Sequence, residues 1–249
     1  MDNINKKLGK LPQKKDKRTL KLAKYLDFST FPPIPEKIIW SKAISKWTMM
    51  KNDEVGDCAI AGIGHIIQTW TANESTEKIL TDDQIVDNYS AICGYDKEND
   101  QNDNGCIMLD VLNYWRAHGI ETHDIEGYVS VNPKNKTEIK AALYLFGSIY
   151  IGLNLPLYAE NNNEWTVPPI YQGEETIGSW GGHAVIIVDA DDDNLQIISW
   201  GKRMRMDWKF FQKYCDEAYA AFGPEDWITD GSAPNGFNID ELRKNLRKF

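Results

Sequence analysis

The chain has 249 residues and a net charge of −9, a length that allows one large or two small domains and a core that needs no staples. Apolar residues make up 42% and charged residues 26%, and nine tryptophans set the chain apart from disordered sequences. No apolar run nears the roughly 18–20 residues of a membrane span, no apolar signal core opens the chain, and four cysteines are too few for a disulfide scaffold.

A cytoplasmic protein with reduced cysteines and no membrane span is therefore expected, a virion-associated or injected protein being the other settings that suit it. The charge is unevenly placed. Residues 1–24 hold nine Lys/Arg against two Asp, giving +7, which leaves 19 basic and 35 acidic residues, −16, for the rest. A basic arm can meet nucleic acid, an anionic surface or the body of its own chain, but an acidic body repels polyphosphate, so no nucleic-acid partner is expected. Residues 31–35 (FPPIP) form a rigid break, since proline restricts its predecessor and removes a donor. An arm of residues 1–37 thus precedes a domain of residues 38–222, followed by an extension of residues 223–249.

Residues 59–70 (AIAGIGHIIQTW) read as a buried helix and residues 108–118 (MLDVLNYWRAH) as a second, introduced by the polar loop 96–105. Residues 147–155 (GSIYIGLNL), 183–188 (HAVIIV) and 195–200 (LQIISW) read as strands, with turn chemistry at residues 191–194 (DDDN). Residues 240–246 are helix-like. Helices first and strands later predict an α+β fold.

Cys58 follows a polar turn and opens the first apolar helix, where the positive end of the macrodipole favours a thiolate. His183 opens a strand after Trp180-Gly181-Gly182, and those glycines would let a substrate or another chain approach closely. A histidine at a strand mouth can serve as general base for a thiol. His65 lies seven residues beyond Cys58, about 10 Å along the helix, and reads as packing or a local hydrogen bond; His118 and His123 read as surface residues. No His/Cys spacing fits zinc and no phosphate-binding glycine loop occurs, so neither metal nor cofactor is expected. Asp100–Gly105 matches the first half of a calcium loop, but the twelfth position is Val111, and a pocket wall is the preferred reading.

Taken in order, several segments resemble the papain-like cysteine proteases. Residues 47–52 (WTMMKN) with 56–59 (GDCA) resemble the approach to that family's nucleophile. Residues 79–89 (ILTDDQIVDNY) resemble its "LSEQELVDC" element, and Asn104-Gly105-Cys106 with the helix to His118-Gly119-Ile120 its pocket loop. Gly182-His183-Ala184-Val185 is similar to the segment around the family's histidine, and Ser199-Trp200-Gly201 to the end of "NSWG". The spacing of 125 between Cys58 and His183 is close to the roughly 130–150 of papain-like enzymes.

The resemblance implies a helical half carrying Cys58 packed on an antiparallel β half carrying His183, with a protein or peptide substrate in the cleft between them. It assigns Cys58 as nucleophile, His183 as base and Asn52 as oxyanion donor, with Asn104, Gly105, Trp180, Gly181, Gly182 and Trp200 flanking the substrate. Several departures accompany it. The family's oxyanion glutamine falls at Asn52, whose shorter amide could donate if the loop moves inward; a one-residue gap would align Asp53 instead, whose carboxylate cannot donate, and Asn52 is the preferred reading. The orienting asparagine is replaced by Ile198, and Ser199 can take its place only if a bulge or a shifted register turns it toward the histidine. Asp189 lies too far along the strand. The family's partner for the pocket-loop cysteine is Val55 here; Cys93 could pair with Cys106 across the loop, but the reduced state is expected. The long inhibitory propeptide is replaced, at most, by the arm. Cysteine peptidase or amidase is the expected function; the alternatives are a catalytically silent papain-like binding protein and a transglutaminase-like or deamidating acyl transferase.

Overall fold

The computed structural model describes residues 6–74, 76–169, 175–223 and 237–248. In chain order the elements are β1 (Ile38–Ile39), α1 (Cys58–Glu74), α2 (Asp82–Cys93), α3 (Met108–His118), β2 (Gly127–Ser130), α4 (Lys136–Phe146), β3 (Ile149–Leu155), β4 (Glu164–Trp165), β5 (Gly181–Ala190), β6 (Asn194–Ser199), β7 (Lys202–Asp207), α5 (Trp208–Tyr214), β8 (Cys215–Phe222) and α6 (Ile239–Leu246). Residues 224–236, the first part of the expected extension, lie outside the described residues.

The Asp57 carbonyl starts α1 by accepting the N–H groups of Ile60 and Ala61 at 2.7 and 3.0 Å. The helix is buried on all sides from Cys58 to Trp70, which explains its two glycines: a Cβ at Gly62 would lie 2.9 Å from the Tyr150 ring, and one at Gly64 would lie 2.7 Å from Met50 Sδ. α2 is closed by a capping box, in which Gln84 N–H donates to Thr81 Oγ1 at 3.2 Å and Thr81 N–H to Gln84 Oε1 at 2.9 Å.

The strands form one sheet in the order β2-β8-β3-β5-β6-β7-β4, antiparallel except for the β4–β7 pair, with β1 added on β5. β5 is buried on both faces. Ala184, Ile186 and Val188 pack into a cluster with α1, α2 and α3, while Val185 and Ile187 pack into a second cluster with α4 and α5. The period of two thus joins a helical half to a β half, and the fold is the expected α+β class. The arm belongs to this packing too: Leu22, Tyr25 and Phe31 are buried in the α4-side core. Among the described residues no helix is long and apolar enough to cross a membrane.

Candidate active site and the segment that covers it

The approach to Cys58 is a tight turn. Met50 and Lys51 both have positive φ (54° and 64°), a left-handed pair that non-glycine residues adopt only under constraint. It tucks Asn52 into the interior, where its Nδ2 donates to the Val55 carbonyl at 3.3 Å. Gly56 N–H donates to Asp103 Oδ1 at 2.8 Å, which ties the turn to the loop before α3. Cys58 emerges at the head of α1, buried, with its Sγ accepting the Ala184 N–H at 3.4 Å. One hydrogen bond therefore joins the helical half to the strand residue beside His183.

His183 sits between two aromatic rings and a hydroxyl. Its imidazole stacks on Trp200 with centroids 4.2 Å apart and planes 9° from parallel, and Trp165 meets it edge-on. Its Nε2 lies 2.8 Å from Ser199 Oγ, and its Nδ1 is buried with no hydrogen-bond partner. Trp200 and Gly201, with φ of 46° and 65°, make the two-residue turn between β6 and β7, the mirror-image geometry that tight hairpins favour. Cys58, His183, Asn52, Ser199, Ile198 and Trp200 line one enclosed space of about 10 Å³, room for about one water. Nδ1 is thus the imidazole nitrogen left available to the thiol.

Residues 6–11 of the arm run through the cleft beside this space. Lys7 N–H donates to the Asn52 carbonyl at 3.2 Å, Gly9 and Lys10 N–H both reach the Gly182 carbonyl (3.3 and 3.0 Å), Cys106 N–H donates to the Gly9 carbonyl (2.7 Å), and Leu11 N–H donates to the Cys106 carbonyl (2.9 Å). The Lys7 carbonyl accepts from Trp200 Nε1 at 3.1 Å and faces Asn52 Nδ2 at 3.5 Å. The cleft glycines make this docking possible. A Cβ on Gly105 would fall 2.1 Å from the Gly9 carbonyl oxygen, one on Gly182 would fall 2.1 Å from the Lys10 oxygen, and one on Gly181 would fall 2.8 Å from Leu8. Close approach by another stretch of chain is what Trp180-Gly181-Gly182 was expected to allow, and the visitor here is the chain's own arm.

Burial beneath that segment sets the electrostatics. It pushes the Cys58 thiol up to about 12 and the His183 imidazole down to about 3, the latter assisted by the Lys6 ammonium. Lys6 Nζ stands 5.4 Å from the Trp200 ring centroid. The macrodipole expectation of a thiolate is overridden here: with solvent excluded, both groups are neutral. Asp57, beside the cysteine, is likewise driven well above the carboxylate range by burial.

The remaining candidates are more scattered. Gly105 lies under the arm, whereas the Asn104 side chain is exposed on the loop and Trp180 is half-buried, stacked at a tilt on Trp200. His65 lines the same small space, and its Nε2 lies 3.0 Å from the Thr48 carbonyl oxygen, a local bond as expected. Asp189 is engaged by Ser41 and Trp40. Asp103, in the stretch resembling a calcium loop, is held by Gly56 N–H and by Tyr89 OH at 2.7 Å. Among the described residues no group of three or more His, Cys, Asp or Glu is arranged to hold a metal ion. The expectation of reduced cysteines is corrected: Cys93 and Cys106 form a disulfide, their Cα atoms 5.5 Å apart, because the end of α2 lies against the pocket loop. Cys58 and Cys215 are free.

The sequence reading passed over Lys10, Asp216 and Glu217. Lys10 Nζ, fully buried, lies 2.9 Å from Asp216 Oδ2 and 3.2 Å from Glu217 Oε1. The available signal was two adjacent acids set directly before the apolar run 218–222 (AYAAF), where burial of a charge demands a partner.

No family model matches the chain, and no curated protein matches it. Solved structures do. Xylellain, a cysteine protease from Xylella fastidiosa, superposes with a TM-score of 0.68 at 14% identity, covering 88% of this chain and 97% of its own. Digestive procathepsin L 3 from the larval midgut of Tenebrio molitor gives 0.57 at 11% identity, covering 88% of this chain and 76% of its own. The Carica candamarcensis cysteine protease CMS1MS2, solved with E-64, gives 0.53 at 15% identity, covering 76% and 99%. The fold is papain-like.

Proposed function

We propose that the protein is a cysteine peptidase in which Cys58 attacks the scissile carbonyl, and that the covered cleft described here is its latent state. The observation that carries this reading is the joint placement of Cys58 and His183 on one small enclosed space, with Nδ1 of the histidine free. Once the arm leaves, water and substrate reach both groups, and the two pKa values move back toward each other as the desolvation is relieved. His183 then takes the thiol proton, the thiolate forms an acyl-enzyme, and the imidazolium returns the proton to the leaving amine. Asn52 supplies an amide donor to the oxyanion; the Lys7 carbonyl facing Asn52 Nδ2 marks a place that a carbonyl oxygen can reach. Ser199 orients the imidazole through Nε2, and Trp200 keeps water off it. Gly105, Gly181 and Gly182 give room for an extended peptide backbone.

The second reading, a silent papain-like fold used for binding, is favoured by the neutral thiol and imidazole of the covered state. Labelling with an epoxide-type cysteine-protease inhibitor, read by peptide mass spectrometry, separates the two. Expected is an adduct at Cys58 that is lost in His183→Ala and faster in Gly9→Ala, whose arm seats only under strain. Absence of Cys58 labelling in folded Gly9→Ala overturns the peptidase reading.

A further inference from the structure

Lys10 enters a pocket that is more elaborate than an anchor for the arm requires. Adjacent strand residues normally face opposite sides of a sheet, yet Asp216 and Glu217 both reach the Lys10 ammonium. The cause is a bulge in β8. Gly152 of β3 pairs with Glu217 and Leu153 with Cys215, so Asp216 is the extra residue, and the interruption turns its carboxylate to the same side.

Each acid is held by one oxygen. Asn154 Nδ2 donates to Asp216 Oδ2 at 3.0 Å and Tyr219 OH donates to Glu217 Oε2 at 2.9 Å. Asp216 Oδ1 and Glu217 Oε1 are buried and accept no hydrogen bond among the described residues, although Lys10 Nζ approaches the latter. Gly152 opens the channel for the aliphatic stem: a Cβ there would lie 2.2 Å from Lys10 Cε, 2.7 Å from Glu217 Cγ and 2.8 Å from Met108 Sδ. At the mouth, the Cys106 N–H and carbonyl pair with the backbone on either side of Lys10. Those two groups can pair with any extended peptide, and whichever side chain stands opposite Cys106 is directed inward.

We infer that this pocket is the specificity subsite of the same peptidase cleft and takes a lysine or arginine side chain of the substrate, with Lys10 occupying it as a built-in ligand until the arm leaves. The inference rests on the peptidase reading for its substrate, but not for its ligand chemistry. Two oxygens without hydrogen-bond donors can accept more N–H groups than an ammonium brings to one point, and a guanidinium carries five.

Two measurements on the full-length chain test it. In Lys10→Ala the missing part of the side chain is propylammonium. This cation is expected to raise the melting temperature in a saturable way, 1-propanol is not, and the effect should vanish in Lys10→Ala/Glu217→Gln. Equal effects of cation and alcohol, or none from the cation on a folded Lys10→Ala, overturn the pocket assignment. Should Lys10→Ala fail to fold, Gly9→Ala, which keeps Lys10 and both acids, carries the second measurement. A fluorogenic peptide series varied at one position at a time should show Arg and Lys preferred over norleucine at one subsite by tenfold or more in kcat/KM, the preference collapsing in Glu217→Gln. An apolar preference at every subsite overturns the substrate claim while leaving a peptidase. Hydrolysis of no peptide, with Cys58 unlabelled, overturns the peptidase reading and the substrate claim with it, and propylammonium binding then decides the pocket separately.

Discussion

Ser199 faces His183 because β5 carries one residue more than its partner strand. Ile187 pairs with Ile197 but Asp189 with Gln196, which leaves Val188 as a bulge. The resulting pairing of Ile186 with Ile198 places Ser199 on the side of Val185 and His183, whereas an unbroken ladder from the Ala190–Leu195 pair would have put Ile198 there. The 2.8 Å contact from Nε2 to Ser199 Oγ follows from that change of parity.

Two substitutions test this relationship. Ser199→Ala should slow labelling of Cys58 roughly 10–100-fold, the range seen where a partner that only orients an imidazole is removed, with Ser199→Thr restoring most of it. Ile198→Asn, which puts the amide where an aligned sequence would want it, should not raise the rate. Ile198 packs in the α1-side core, so an unpartnered amide there should cost about 1–3 kcal/mol of stability. A gain in labelling rate from Ile198→Asn, measured beside a urea unfolding curve, would refute the assignment of Ser199.

Gly9 is the point where the arm is most tightly confined. A Cβ at this position would fall 1.7 Å from the Gly56 carbonyl oxygen, a backbone obstacle that no rotamer change relieves. Gly9→Ala should therefore weaken the seating of residues 6–11 while leaving Leu22, Tyr25 and Phe31 in the core. A strain of about 1–3 kcal/mol corresponds to a roughly 5–150-fold larger open fraction, read as the rate of Cys58 alkylation. An unchanged rate would show that the arm does not limit access to the thiol.

The parts of this fold that follow short-range rules were legible in the chain. α1, α3, β3, β5 and β6 lie where apolar runs and turn residues place them, and the ordered segments carried the resemblance that the superpositions support as a fold. α4 was passed over although its signal is present: Asn135 accepts the Glu138 N–H at 3.2 Å, and Gly147 ends the helix with φ of 74°. α5 and β8 gave no warning, since no Gly or Pro separates Tyr214 from Cys215 where helix passes into strand. The bulges at Val188 and Asp216 and the seating of residues 6–11 depend on pairings between distant segments, which local patterns do not encode. The candidate pair Cys58 and His183 could be named from sequence, but the acidic pocket opposite Cys106 could not.

The Cys93–Cys106 disulfide holds the strand-like edge on which the arm docks. It spans 13 residues, for which loop entropy gives about 3 kcal/mol of stabilisation. Urea unfolding of Cys93→Ser, or of the wild type under reductant, should show a loss approaching that figure together with weaker amide protection at Gly9, Lys10 and Leu11. Equal stability with and without reductant would mean that packing of the pocket loop on α2, not the covalent link, holds Cys106 in place.

Acid should release the arm. His183 is held at about 3 in the covered cleft against 6.5 when exposed, so the open state binds the proton more readily between these values. The contribution of neutral His183 to the covered state is fully present above pH 6.5 and is lost as pH falls toward 3, by up to tenfold in the closed-to-open ratio per pH unit. At the other end, Cys58, raised to about 12 from an ordinary 9, makes the covered state lose ground as pH rises above 9. Residues 6–11 should therefore be most firmly seated between about pH 6.5 and 9. Hydrogen-exchange protection factors of Lys10 and Leu11, which are normalised for intrinsic rate, should fall by an order of magnitude or more from pH 7 to pH 5 and change much less in His183→Gln. Protection that stays flat across that interval in the wild type would show that the imidazole remains neutral whether or not the arm is seated.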